Sequence, residues 1–214
     1  MDNYVFGLDI GTRSIVGTVG YRQGGDRFVV VAQVSIEHET RAVIDGQIHD
    51  IPTVASTIGQ IKEQLEEMVG RPLTEVCIAA AGRVLKTKRV RVDYSFPNET
   101  KVMEEHIRSL DMLGVERAYE LIRKDQQEEN TQYYCVGYAT AGYFLNDYPM
   151  SLIELHKAKK IGVDLIATFL PDEVVDGLYS AVETAGLAVA NLTLEPIAAI
   201  NVAIPEAFRM LNIA

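Results

Sequence analysis

Gly7-Leu8-Asp9-Ile10-Gly11-Thr12-Arg13-Ser14 is the stretch on which the reading of this chain turns. Tyr4 to Ile10 is a short apolar run of residues that suit a strand, and Ile15 to Arg22 returns as a second one. An aspartate at the end of a buried strand projects into a cleft. The Gly-Thr-Arg-Ser turn after it offers backbone N–H groups and two hydroxyls to an anion. Phosphate binding needs that combination: close backbone approach allowed by glycine, fixed donors, and a carboxylate that reaches Mg²⁺ directly or through water. A Walker loop would need Gly-Lys-Ser/Thr leading into a helix, and here the turn joins two strands. An ordinary hairpin would also use Asp and Gly for turn geometry, so the octapeptide alone leaves both readings open.

Working outward, Gln23-Gly24-Gly25-Asp26 is a hairpin signal, followed by a third strand through Phe28, Val29, Val30, Val31 and Val34. Strands joined by such tight turns form an antiparallel meander. A helix follows, with Asp50 as N-cap and Pro52 in the first turn. Val54, Ile58, Ile61, Leu65 and Met68 or Val69 form its apolar stripe, and Gly70 and Pro72 end it. Glu75 to Ala81 reads as a strand buried on both sides. From Lys86 to Tyr94 the chain alternates and is basic, the pattern of a charged edge strand that discourages aggregation. Ser95 to Glu99 reads as a polar connector, Val102 to Asp125 as a helix with a possible break at Gly114, and Gln132 to Ala141 as a tyrosine-rich strand. Asn146-Asp147-Tyr148-Pro149 reads as a turn and Gly162 to Phe169 as another strand. Pro171-Asp172-Glu173 opens a helix closed by Gly186, Leu187 to Leu194 is a strand, and Pro196 to Leu211 is an apolar helix. Asn212-Ile213-Ala214 then begins a new apolar stretch with no polar tail, which leads us to expect further chain beyond it.

The Asp9 to Ser14 turn resembles the first phosphate loop of the actin, sugar-kinase and DnaK-type chaperone superfamily, written DxGTxxS or DxGTxS. Leu194-Glu195-Pro196-Ile197-Ala198-Ala199 resembles the same superfamily's Glu-Pro-x-Ala-Ala strand-to-helix junction. Within the superfamily, Arg41 to Asp50 and Glu75 to Gly82 look like two elements of the FtsA family, and Gly177 to Pro196 like a third. The resemblance implies an α/β fold: an actin-like (ribonuclease-H-like) first domain carrying a small inserted α+β subdomain of the SHS2 type. The expected division is 1–83, 84–169 for the insert, and 170–214 for the return to the actin-like domain. It also implies ATP and Mg²⁺. Asp9 would serve the metal directly or through water, and Gly11, Thr12, Arg13 and Ser14 the phosphates. Glu195 would take the catalytic place, facing the metal's water shell or the attacking water. The implied function is that of a division-associated scaffold with at most slow ATPase turnover. Its partners would be further copies of itself or a tubulin-like protein such as FtsZ. A PilM-like interaction module without catalysis is the main alternative, and a sugar kinase or DnaK-type chaperone a weaker one. The second phosphate loop (DxGxGT), the adenosine-binding glycines and a membrane-binding helix are not in these residues. ATP binding by these residues alone is therefore expected to be weak or absent, and membrane contact would come only through other regions.

Composition narrows the classes. A net charge of −10 argues against nucleic acid as a partner, because duplex binding relies on Lys and Arg neutralising phosphates. No apolar run approaches the ~20 residues that span a bilayer, and Met1-Asp2-Asn3 does not open a signal peptide. The expected location is cytoplasmic, with the inner face of the membrane as a peripheral option. Cys77 and Cys135 lie far apart with no CxxC, and His38, His49, His106 and His156 are scattered, so no zinc site is expected.

Overall fold

The computed structural model describes residues 4–24, 27–80, 85–125 and 131–203. The chain divides into two compact units, Met1–Arg83 with Glu173–Ala214, and Val84–Asp172.

The first unit is built on β1 (Val5–Ile10), β2 (Ser14–Arg22) and β3 (Phe28–Glu37). They form the antiparallel meander that the turns require. A two-residue-per-strand hairpin follows, β4 (Val43–Ile44) and β5 (Gln47–Ile48). Its corner is Asp45-Gly46, both at positive φ (52° and 82°), as a type I′ turn demands. Helix α1 (Ile51–Val69) starts where Asp50 Oδ1 accepts the Thr53 N–H at 3.0 Å. It stops at Gly70, which is left-handed and donates its N–H to the Glu66 carbonyl at 2.8 Å. Val54, Ile58, Ile61 and Leu65 of α1 are fully buried, but the stripe does not continue into the last turn, where Met68 is exposed and Val69 half-buried. Gly17 admits the helix: a Cβ there would lie 2.4 Å from Ile61 Cγ2 and 2.9 Å from Leu65 Cδ1.

β6 (Glu75–Ala80) then inserts parallel to β1, and β11 (Ala188–Leu194) parallel to β6, giving a mixed sheet ordered β11-β6-β1-β2-β3. β6 is not buried on both sides. Val76, Ile78 and Ala80 are buried, whereas Cys77 and Ala79 are half-buried on the other face, so the strand alternates. Helix α3 (Asp172–Thr184) buries Val174, Val175, Leu178, Ala181 and Val182, ending at left-handed Gly186. Helix α4 (Glu195–Ala203) begins directly at the end of β11. The remainder of the expected last helix, and Asn212 to Ala214, lie outside the described residues, as do Gly25 and Asp26 of the first hairpin.

The second unit is a four-stranded antiparallel sheet ordered β7-β10-β8-β9, packed by one helix. Its elements are β7 (Lys86–Lys101), α2 (Glu104–Asp125), β8 (Tyr133–Leu145), β9 (Tyr148–Met150) and β10 (Lys157–Pro171). Three expectations fail here. Ser95 to Glu99 is strand, not connector: β7 pairs with β10 from Lys86 to Ser95 and again at Thr100 and Lys101, with a shift of register between the two stretches. Pro97 is tolerated because β7 is an edge strand. The turn after β8 is only Asn146-Asp147, both at positive φ (48° and 71°), so Tyr148 and Pro149 already belong to β9, the other edge. Gly114 does not break α2; it is buried, and a Cβ there would press on Leu165 Cδ1 at 3.2 Å. The helix lies close on β10 at that point. The core between α2 and the sheet centres on Leu110, Ala118, Ile122, Val163, Leu165 and Phe169. The basic residues of edge strand β7 are paired within the unit: Lys88 with Asp125, Arg89 with Asp164 at 2.6 Å and Arg91 with Asp93 at 2.8 Å. Arg91 also lies over the Phe144 ring at 3.3 Å. No described helix is long and apolar enough to cross a membrane.

Candidate functional site

The parallel strands β1, β6 and β11 end together. Asp9 is level with Ala79, and Ala79 with Thr193, so all three carboxyl ends open on one side of the sheet. In parallel α/β sheets that edge is where ligands bind, because the chain must leave each strand there and loops leave a crevice. Phe6, Leu8 and Ile10 are buried, and alternation puts Asp9 on the opposite face with its side chain exposed. Glu195 arrives at the same edge as the first residue of α4.

The two carboxyl groups meet. Burial pushes the Glu195 carboxyl above the usual glutamate range, and the charge of Asp9 and a side-chain hydrogen bond with Asp9 push it further. Such a pair shares a proton more readily than it carries two charges. A divalent cation removes the conflict. Mg²⁺ is held by one or two carboxylates plus waters and phosphate oxygens, so this donor set fits it. Among the described residues no group of three or more His, Cys, Asp and Glu side chains could form an all-protein metal cage.

Beside the pair lies the Gly11 to Ser14 turn. The Gly11 N–H donates to the Ser14 carbonyl at 3.0 Å, so this amide closes the hairpin instead of facing a ligand. Thr12 is exposed and Ser14 half-buried, leaving their hydroxyls within reach of solvent. Arg13 points its guanidinium to Glu37 at 3.5 Å, with both side chains largely exposed. A surface pair of this kind is worth ~0–1 kcal/mol, so it leaves Arg13 available to another anion. Sequence reasoning passed over His38. It donates its backbone N–H to the Arg13 carbonyl at 2.9 Å, and its Nε2 sits 3.0 Å from the Gly11 carbonyl. The only sequence signal was its place just after the third strand, opposite the turn, and no spacing rule singles that out. A cavity of about 680 Å³ adjoins the turn, with Thr12, Arg13, His38, Arg41, Val43 and Asp45 in its wall.

The described residues therefore bring together Asp9, the Gly11 to Ser14 turn and Glu195, from the two ends of the chain. Cys77 and Cys135 are free, half-buried thiols whose ionisation burial disfavours.

No family model and no curated protein matches the sequence. Solved structures do match the fold. A chain in the "PilM-PilN type IV pilus biogenesis complex" superposes with a TM-score of 0.61 at 17% identity, covering 92% of this chain and 48% of that one. This chain therefore shares the α/β fold of that chain. This chain thus spans about half the length of that solved chain. The ethanolamine utilization protein EutJ from Carboxydothermus hydrogenoformans matches at a TM-score of 0.45 and 15% identity, over 94% of this chain and 40% of that one, too distant to weigh.

Proposed function

We propose that this chain supplies the phosphate- and Mg²⁺-binding half of an ATP site in an actin-like scaffold protein, where the nucleotide acts as a switch. The observation that carries the reading is the arrival of Asp9 and Glu195 at the same edge of the sheet, where the carboxyl ends of β1 and β11 open beside the Gly11 to Ser14 turn. Two carboxylates forced together at the carboxyl ends of parallel strands make a poor structural element and a good divalent-cation site. Asp9 would orient the metal's inner waters. Thr12, Arg13 and Ser14 would take phosphate oxygens, with Gly11 shaping the turn. Glu195, whose carboxyl holds a proton more tightly than usual, would orient the attacking water and take its proton, yielding ADP and phosphate. Bound Mg²⁺ would supply charge neutralisation at the phosphates.

Within the actin-like group, an FtsA-like division scaffold is one reading. The second unit would then be an SHS2-like docking module for another copy of the protein or a tubulin-like partner such as FtsZ, at the inner face of the membrane. A PilM-like module that docks a partner peptide is the second reading. It is favoured by the neighbour with the higher TM-score, which comes from a PilM-PilN complex.

Calorimetric titration of Mg-ATP tests the shared core of both readings. The natural polypeptide carrying this sequence, if it extends to its neighbour's length, should bind in the micromolar range and lose binding in Asp9→Ala. These residues alone should bind weakly. A well-folded long protein that ignores Mg-ATP would leave a nucleotide-independent scaffold as the function.

A further inference from the structure

We infer that His38 is a positioning residue that holds the phosphate turn open for an anion; this rests on the phosphate-binding reading of the same turn. In an ordinary two-residue hairpin the residues flanking Thr12-Arg13 would exchange two hydrogen bonds. Here one of them is made, from the Gly11 N–H to the Ser14 carbonyl at 3.0 Å. Its reciprocal, from the Ser14 N–H to the Gly11 carbonyl, is absent from the hydrogen bonds of the described residues. The Gly11 carbonyl instead accepts from His38 Nε2 at 3.0 Å, so that nitrogen carries the ring proton.

The consequence follows from peptide geometry. In a planar trans peptide the C=O and the following N–H point in opposite directions. Drawing the Gly11 carbonyl toward His38 turns the Thr12 N–H the other way. Holding the Arg13 carbonyl on the His38 N–H at 2.9 Å does the same for the Ser14 N–H. One residue thereby fixes two peptide planes and leaves two amides for a ligand, making good the Gly11 donor spent on closing the hairpin. The arrangement has a cost that fold stability does not explain. With its proton on Nε2, His38 leaves Nδ1 as an acceptor, and that atom is buried with no hydrogen-bond partner. A buried unsatisfied acceptor calls for a functional reason, and the orientation of the turn provides one. Glycine at position 11 suits the same geometry, since a Cβ there would lie 3.1 Å from the Ser14 carbonyl oxygen.

NMR on the 214-residue chain tests this in two arms. In the ligand-free arm, amide exchange at Ser14 is compared between the wild type and His38→Ala. Release of the Gly11 carbonyl should let it accept the Ser14 N–H, so Ser14 exchange should slow several-fold in the variant. His38→Gln, which restores a donor at about the Nε2 position, should keep the wild-type rate. Unchanged Ser14 exchange in a folded His38→Ala variant would overturn the inference, whatever binds. In the second arm, magnesium pyrophosphate is titrated and the Thr12 and Ser14 amide shifts are followed. His38→Ala should weaken the response about tenfold, with rescue by His38→Gln. Equal affinity in wild type and His38→Ala would also overturn it. A wild-type turn that does not respond to pyrophosphate would instead sink the phosphate reading, while the exchange arm still decides the role of His38.

Discussion

Glu195→Gln should stabilise the ligand-free protein and remove its response to divalent cations. The substitution keeps the size of the side chain and can donate a hydrogen bond to Asp9, but it deletes one of two like charges. Two unit charges at hydrogen-bond distance, about 3 Å, repel by ~1.4 kcal/mol in bulk water and ~5 kcal/mol at the effective dielectric near a protein surface. Asp9 is exposed and Glu195 half-buried, so solvent screening puts the effect near the low end, ~1 kcal/mol. For a chain of this size that is a rise of about 2–4 °C in melting temperature. The pH dependence has a definite sign. The folded-state carboxyl of Glu195 titrates above its unfolded value, so its stability contribution is complete below the ordinary glutamate range and is lost as pH rises through the folded pKa. The gap between variant and wild type should therefore be absent below about pH 4 and open as the pH rises toward neutrality. Millimolar Mg²⁺ at neutral pH should then raise the wild-type melting temperature more than that of the variant, because on the proposed reading the cation would bind the folded pair and not the unfolded chain. Thermal unfolding across pH, with and without Mg²⁺, measures all of this. A variant no more stable than wild type at neutral pH, or a gap that does not change with pH, would refute the carboxylate contact.

Three further substitutions probe the scaffold. Gly17→Ala should destabilise by ~1–3 kcal/mol in urea unfolding, because the new methyl would overlap Ile61 Cγ2. Ile61→Leu, which deletes that methyl position, should recover part of the loss, and strict additivity of the two changes would contradict the packing described. In the second unit, buried Asp111 accepts from the Tyr143 hydroxyl at 3.2 Å, and burial raises its carboxyl above the usual aspartate range. Its contribution is thus complete in acid and lost as pH rises through its folded pKa. Asp111→Asn should gain up to ~1 kcal/mol at neutral pH after allowance for screening, with no gain below about pH 3. A loss at neutral pH would mean that the charge itself holds Tyr143.

Local chemistry made much of this protein legible in advance. Asp50, Pro52 and Gly70 bound α1 because caps and left-handed glycines act within a few residues of themselves. The turn at Gly11 to Ser14 and the junction at Glu195 were visible for the same reason, each a short run whose residue types carry a conformation. Alternation in β7 announced a charged strand, and its place at the sheet edge agrees. What sequence reading missed depends on partners distant in the chain. Ser95 to Glu99 has connector composition, yet pairing with β10 at Ser95 on one side and at Thr100 and Lys101 on the other holds it extended within β7, so tertiary pairing overrides local preference. Gly114 reads as a helix breaker until Leu165 is seen pressing on it. The contact of Asp9 with Glu195 depends on the parallel register of β1, β6 and β11, which no local pattern encodes. His38 was weighed in the sequence only as a zinc ligand, because its contact with one carbonyl across a hairpin exists only once β2 and β3 have paired. Sequence alone thus singled out the Gly11 to Ser14 turn and the Glu195 junction as candidate segments and set the bounds of α1. Only tertiary structure, by aligning strand ends from opposite termini of the chain, decided that those segments face one another.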